Sequence, residues 1–232
     1  MKSPAGPQAP IQPTAQTLAG IELFRELDHD ERTAIAALCH AHRYAAKEQV
    51  LAVDDPSRDV LFVVSGTVRV TLYSPQGKEV IFRDQTAGQM LGELAAIDGS
   101  PRSAHVVAEQ DTLLVSMSPQ DFRTVLENHA DVNWQVLLRL AGLVRSLSER
   151  VYEFSTLQVR DRVHAELLRL ARGCMTGENS ARIDPAPTHA EIASTIGTHR
   201  EAVTRELNDL AKRGVLTREG HAIILHDVDA LK

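Results

Sequence analysis

Two cysteines, Cys39 and Cys174, are all that the 232 residues contain. Two thiols build neither a disulfide framework nor, by themselves, an iron–sulfur site, so both are expected free and reduced, as in a cytoplasmic setting. Long apolar runs are missing as well. No stretch approaches the roughly 18 apolar residues of a membrane span, and the first residues carry no apolar signal core, so no membrane partner is expected. An excess of positive charge is also lacking: the formal net charge is −6, which argues against a protein that coats a polyanion. The charge is uneven, however. Residues 156–232 hold 11 Lys+Arg and 11 Asp+Glu, so residues 1–155, with the remaining 14 and 20, carry all six negatives. The neutral C-terminal third is the better candidate for meeting nucleic acid. Metal-ligating clusters are scarce too. Cys39-His40-Ala41-His42 has the composition of one, but on a helix His40 and His42 would point about 200° apart and could not share an ion. His105 stands alone on a strand. A metal-dependent, cupin-like enzyme fused to a DNA reader is therefore the weaker reading, and neither a metal site nor catalysis is expected.

Hydrophobic residues make up 43% of the chain, ample for one or two packed domains. Prolines at 4, 7, 10 and 13 mark residues 1–17 as a disordered or polyproline-like tail. Residues 18–40 place Leu23, Leu27, Ile35 and Leu38 at helical spacing, with Asp28 and Asp30 as caps. From about residue 43 the period changes to two. Val60–Val64, Val68–Tyr73, Val80–Phe82, His105–Ala108 and Leu113–Met117 read as short strands punctuated by Asp55-Pro56, Ser65-Gly66, Pro75-Gln76-Gly77 and Ala87-Gly88. An antiparallel jelly-roll barrel over 18–117 is expected.

Between two of those strands lies the most informative segment, Leu91-Gly-Glu-Leu-Ala-Ala-Ile-Asp-Gly-Ser-Pro-Arg-Ser-Ala104. It sets the carboxylate of Glu93 nine positions before the guanidinium of Arg102, among small residues and turn formers. Arginine offers a planar fork of donors suited to phosphate. Glutamate offers an acceptor suited to a sugar hydroxyl. The stretch resembles the phosphate-binding cassette of cyclic-nucleotide-binding domains: Gly92, Glu93, Leu94 and Ala95, then Pro101, Arg102, Ser103 and Ala104. The resemblance implies that Glu93 takes the ribose hydroxyl and that Arg102 with Ser103 takes the cyclic phosphate.

Ser118-Pro119 opens a long helix, expected over 118–155. From Asn133 the apolar spacing is strict: Leu137, Leu140, Val144, Leu147, Val151 and Phe154 follow at alternating intervals of four and three. That is a coiled-coil seam about 33 Å long and predicts a homodimer. Residues 156–232 then read as a winged helix-turn-helix. Thr188 and Glu191 form one capping box, Thr198 and Glu201 another, and Gly197 lies between two short helices. On the second helix Arg200 and Arg205 can each fork onto guanine, Glu201 can accept from cytosine, and Thr204 lies on the same leading turns. Thr188 and Thr198 are placed for phosphate contacts at the helix starts.

The order of barrel, cassette, dimer helix and winged helix-turn-helix resembles the CRP/FNR family of bacterial transcription regulators over roughly residues 18–228. Gly197-Thr-His-Arg200-Glu201-Ala-Val-Thr-Arg205 is similar to that family's Gly-x-x-Arg-Glu-x-x-x-Arg recognition element. The resemblance implies an α+β homodimer without catalytic activity. It also implies a cyclic nucleotide in each barrel, half-sites of the TGTGA type within an inverted-repeat operator, and RNA polymerase as a partner. In the best-studied cAMP-responsive member a Thr-Ser pair on the central helix meets the adenine. Alignment from the DNA-binding side puts Leu147 and Ser148 there; alignment from the barrel side is offset by four residues. cAMP is the expected effector by family frequency, with cGMP, or no effector, as the alternatives.

Overall fold

The structure is a computed structural model that describes residues 12–77 and 79–232. Of the tail expected over 1–17, residues 1–11 lie outside the described residues. From Gln12 onward the chain is structured, because Pro13 is buried and Thr14 caps a short helix. In chain order the elements are α1 (Ala15–Ala19), a 3-10 turn (Glu22–Phe24), α2 (His29–Ala37), β1 (Cys39–Tyr44), β2 (Gln49–Leu51), β3 (Val60–Ser65), β4 (Thr67–Tyr73), β5 (Glu79–Thr86) and β6 (Met90–Leu91). Then follow α3 (Glu93–Asp98), β7 (His105–Ala108), β8 (Thr112–Met117), α4 (Pro119–Asn128), α5 (Ala130–Thr156) and α6 (Val159–Ala171). The chain ends with β9 (Ala181–Ile183), α7 (His189–Thr195), α8 (Arg200–Lys212), β10 (Leu216–Glu219), β11 (Ala222–Leu225) and a last 3-10 turn (Asp229–Leu231). Two compact units emerge. One runs through Tyr73 and over Phe82–Gly142; the other comprises Ser74–Ile81 and Leu143–Lys232. The dividing point therefore falls inside α5 rather than at its ends.

The first unit holds two four-stranded sheets, ordered β1-β8-β3-β6 and β2-β7-β4-β5, with antiparallel pairing. Strand β3 shows why its sequence is a continuous apolar run. Leu61 and Val63 point into the space between the sheets with Val68, Leu91, Val106 and Leu114. Val60 and Phe62 point the other way, into a second core with Met117 of β8 and with Phe24, Phe122, Val132 and Val136 from the helical segments. A strand covered on both faces needs apolar residues at every position. The rings of Phe24 and Phe62 meet at 5.0 Å between centroids, tilted by 56°.

Three local expectations are corrected. Residues 39–44 form strand β1, not the end of a helix: Cys39 and Ala41 are buried while His40 and His42 are exposed, and the segment pairs with β8. His40 and His42 thus share a face, opposite to the helical expectation, yet among the described residues no three His, Cys, Asp or Glu side chains gather as a metal site. The long helix from Ser118 is two helices. Ser118 caps α4 as expected, but His129 is extended (φ −125°, ψ 93°) and separates it from α5. Within the expected loop Gly173–Pro187, Ala181 and Ile183 bury their side chains as strand β9 beside β11.

The second unit packs α6, α7 and α8 on a sheet ordered β10-β11-β9. Ile192, Ala193, Ile196 and Val203 are buried there with Leu167, Leu207 and Leu210, as the helix-turn-helix pattern requires. Among the described residues no helix is long and apolar enough to cross a membrane.

Candidate functional site

The cassette turns on Gly92, which caps α3 in the left-handed region at φ +79°. A Cβ there would lie 2.5 Å from Arg102 Nη1 and 3.0 Å from the Asp59 carbonyl, so the position is closed to larger residues on two counts. The bend sends Glu93 inward, where it is 1% exposed, and leaves Leu94 46% exposed at the rim; Ala95 is buried behind it. Arg102 is 4% exposed. Its backbone pairs with Asp54 and Asp55, its Nε donates to Ser57 Oγ at 3.2 Å, and Nη1 and Nη2 donate to the carbonyls of Gly92 (3.1 Å) and Asp59 (2.7 Å). Three of the five guanidinium N–H groups are thereby anchored, and one on each Nη remains for an anion. Burial pulls the Arg102 guanidinium down from its usual range, opposed by Asp59, Asp55 and Glu93. Ser103 is exposed beside it and lines the same cavity.

Glu93 has two neighbours that sequence reading did not place. Arg83 Nη2 lies 3.8 Å and Arg139 Nε 3.5 Å from Glu93 Oε1. Both contacts are Coulombic only. Glu93 Oε1 and Arg139 Nε are buried without any hydrogen-bond partner among the described residues. Arg102 is therefore not the sole fixed cation of the site. A buried carboxylate oxygen with an empty acceptor position costs free energy until a hydroxyl or N–H fills it. The residues present thus fit a ligand that brings a donor to Glu93 and an anion to Arg102. Nothing in the spacing flags Arg83 or Arg139, since each lies on a separate element (β5 and α5).

The residues expected to meet nucleic acid lie in the second unit. Thr188 is exposed and closes a reciprocal capping box with Glu191 at the start of α7. Gly197, at φ +66°, makes the turn, with the Phe154 ring 3.1 Å from where a Cβ would stand. Arg200, Glu201 and Arg205 are exposed on the leading turns of α8. Glu201 and Arg205 form no ion pair among the described residues. Two expected members differ. Thr198 is 8% exposed and does not cap α8; His199 holds that position without a side-chain bond. Thr204 is half-buried, its hydroxyl 2.6 Å from His189 Nδ1. His189 also receives a hydrogen bond from Arg218 of β10, so that His189 ties the recognition helix to the wing. Burial first, then Arg218 and Arg200, lowers the His189 pKa.

Helix α5 is apolar on an open side. Leu137, Val144, Leu147 and Val151 are 50–65% exposed, and so are Trp134 and Tyr152, outside the expected seam. Two seam members are otherwise engaged. Leu140 leans on the barrel-side core, and Phe154 lies against Gly197 and under the Arg162 guanidinium, 5.3 Å from its ring centre. Ser148 is exposed, with its hydroxyl donating to the Val144 carbonyl at 2.9 Å.

Residues 41–129 match the cyclic nucleotide-binding domain family, and residues 161–232 the Crp-like helix-turn-helix domain family. The chain is similar to a CRP-like cAMP-activated global transcriptional regulator of Mycobacterium tuberculosis, 29% identical over 87% of this chain and 92% of that one. It is also similar to the cAMP-activated global transcriptional regulator CRP of Escherichia coli O157:H7, 28% identical over 81% and 90%. Its fold matches a CooA variant from Carboxydothermus hydrogenoformans with a TM-score of 0.79, at 19% identity over 96% of each chain. With a cyclic-nucleotide cassette in one unit and a Crp-like helix-turn-helix in the other, the chain belongs to the CRP/FNR family of transcription regulators.

Proposed function

We propose that the chain works as a homodimer whose binding to an inverted-repeat operator is set by a purine 3′,5′-cyclic nucleotide. The observation that carries this reading is the empty acceptor position of buried Glu93 Oε1, next to an Arg102 that is anchored on three sides. A ribose hydroxyl donates to Glu93, and the cyclic phosphate accepts from the two remaining Arg102 N–H groups and from Ser103. The cAMP-activated relatives make cAMP the first candidate and cGMP the alternative. The apolar stripe of α5 is the dimer surface. Arg200, Glu201 and Arg205 meet base edges, and Thr188 meets a phosphate. Ligand acts by favouring the dimer conformation that binds operator, and RNA polymerase is the downstream partner. The protein performs no catalysis and acts in the cytoplasm.

Calorimetric titration of the full chain with cAMP and with cGMP, followed by operator binding with and without each, tests the reading. Saturable binding of either nucleotide that raises operator affinity supports it. Heat traces indistinguishable from buffer for both at millimolar concentration would leave a regulator with another effector or none.

A further inference from the structure

We infer that Arg83 reads the base of the bound nucleotide and admits guanine, making cGMP a ligand of this pocket in addition to cAMP. The inference rests on the cyclic-nucleotide reading above and deepens it.

Arg83 is out of place for a barrel strand. On β5 it shares a face with Ile81 and Gln85, which are 5% and 2% exposed. A charged residue on the inward face costs free energy that an aliphatic one would not, so its presence asks for a use. Its side chain is 33% exposed and lines the same cavity as Glu93, Arg102 and Ser103. Its Nε is held: with the Gln85 amide oxygen turned toward the arginines, that oxygen accepts from Arg83 Nε at 2.8 Å and from Arg139 Nη2 at 3.0 Å. The Nη groups of Arg83 make no hydrogen bond among the described residues; Glu93 at 3.8 Å is too far for one. Arg139, by contrast, spends Nη2 on the Met90 carbonyl and does not line this cavity.

The polar side chains of the cavity divide by chemistry. Arg102 and Ser103 suit the phosphate, Glu93 the ribose hydroxyl, and the walls beyond them are aliphatic, with Leu51, Val70 and Val106 among them. Arg83 is the polar group left for the base. The cavity is about 60 Å³ and open to solvent, well below the ~300 Å³ or more of ordinary small-molecule sites, so a nucleotide seated on Glu93 and Arg102 extends out of it. The base is joined to the sugar carbon next to the one that bears the Glu93-bound hydroxyl, and Arg83 lies beside Glu93 with its side chain 33% exposed. A guanidinium offers donors and no acceptor. Guanine presents O6 and N7 side by side as acceptors, which a fork of two N–H groups matches; adenine puts an amine donor where O6 would be. The free fork therefore discriminates in favour of guanine.

The test is calorimetry of the full chain with cAMP, cGMP, cyclic inosine monophosphate, which keeps O6 and N7, and 7-deaza-cGMP, which lacks N7. In the parent, cGMP and the inosine nucleotide bind, and 7-deaza-cGMP binds more weakly than cGMP. Arg83→Ala lowers the ratio of cGMP to cAMP affinity by about tenfold, the worth of one forked contact. Arg83→Lys keeps the charge beside Glu93 but loses the fork, and lowers the ratio as well. Equal losses for both nucleotides in both variants would make Arg83 a support for Glu93 and overturn the inference. A parent that binds cAMP but not cGMP would overturn it too, with the cyclic-nucleotide reading intact; a parent that binds neither removes both.

Discussion

Arg102 and Glu93 are the residues on which the ligand reading depends. Charge-assisted hydrogen bonds contribute about 1.5–3 kcal/mol each, so Arg102→Ala should weaken cyclic-nucleotide binding at least roughly tenfold. Arg102 also anchors the Asp59 and Gly92 carbonyls, so the loss is to be read by calorimetry only after circular dichroism shows a folded variant. Glu93→Gln keeps the size of the side chain while placing an amide between two guanidinium groups, and should weaken binding too. Parent-like affinity in both variants would remove the cassette assignment. Cys39 gives a prediction of the opposite kind. Burial, with Asp121 adding to it, pushes its pKa up to about 12, and the side chain is 0% exposed. The thiolate is the reactive form, so iodoacetamide at neutral pH should label Cys174 first and reach Cys39 only in denaturant. Mass spectrometry of the labelled chain decides it, and early labelling of Cys39 would contradict the packing of β1. At this scale the cassette was legible because its members lie within about a dozen residues. Arg83 and Arg139 were not, because their approach to Glu93 depends on pairing and packing between elements distant in sequence.

Helix α5 shows how far periodicity reaches. The four-three spacing predicts one continuous seam, of which Leu137, Val144, Leu147 and Val151 are exposed, but spacing cannot say which neighbour a given position meets. Leu140 went to the barrel-side core and Phe154 to the turn at Gly197, while Trp134 and Tyr152 widen the exposed face. The clean disruption is therefore Leu147→Glu with Val151→Glu, both more than half exposed in the single chain. Sedimentation should show monomers, since four carboxylates would enter one dry seam of the proposed dimer. A dimer that persists would place the interface elsewhere. Strand β1 was hidden for a different reason: cysteine, alanine and histidine carry weak strand signals, and its pairing with β8 overrides them. In the helix-turn-helix, His189 supplies a pH dependence whose sign follows from its lowered pKa. A base held neutral in the folded state adds stability above its ordinary value of 6.5 and loses it as pH falls through that value toward the lower folded one. Thermal unfolding of the full chain should thus lose more stability on acidification below about pH 6.5 than the His189→Gln variant does. Parallel curves would show that the contacts of His189 with Thr204 and Arg218 do not depend on its neutral form.

The whole molecule belongs to a family of DNA readers, and in the proposed dimer symmetry sets what it reads. Such a two-fold dimer presents two α8 helices, so an inverted-repeat operator is expected, with half-site centres one helical turn, about 34–36 Å, apart. Within each half-site Arg200 and Arg205 are five residues apart, with Glu201 between them, and all three are exposed and free of ion pairs among the described residues. If Arg205 forks onto a guanine, Arg205→Ala costs about 1–3 kcal/mol per half-site and relaxes the preference at one base pair. A residue that holds only a phosphate behaves otherwise: its loss weakens every sequence alike and flattens the dependence on salt. The neutral net charge of residues 156–232 makes this distinction sharper, because little general attraction to DNA masks the loss of one specific contact. Affinities of parent and variant for a panel of single-base operator changes, each at two salt concentrations, separate the two roles. A loss confined to one base pair makes Arg205 a base reader. A uniform loss with a reduced salt slope makes it a backbone clamp, and specificity then falls to Arg200 and Glu201.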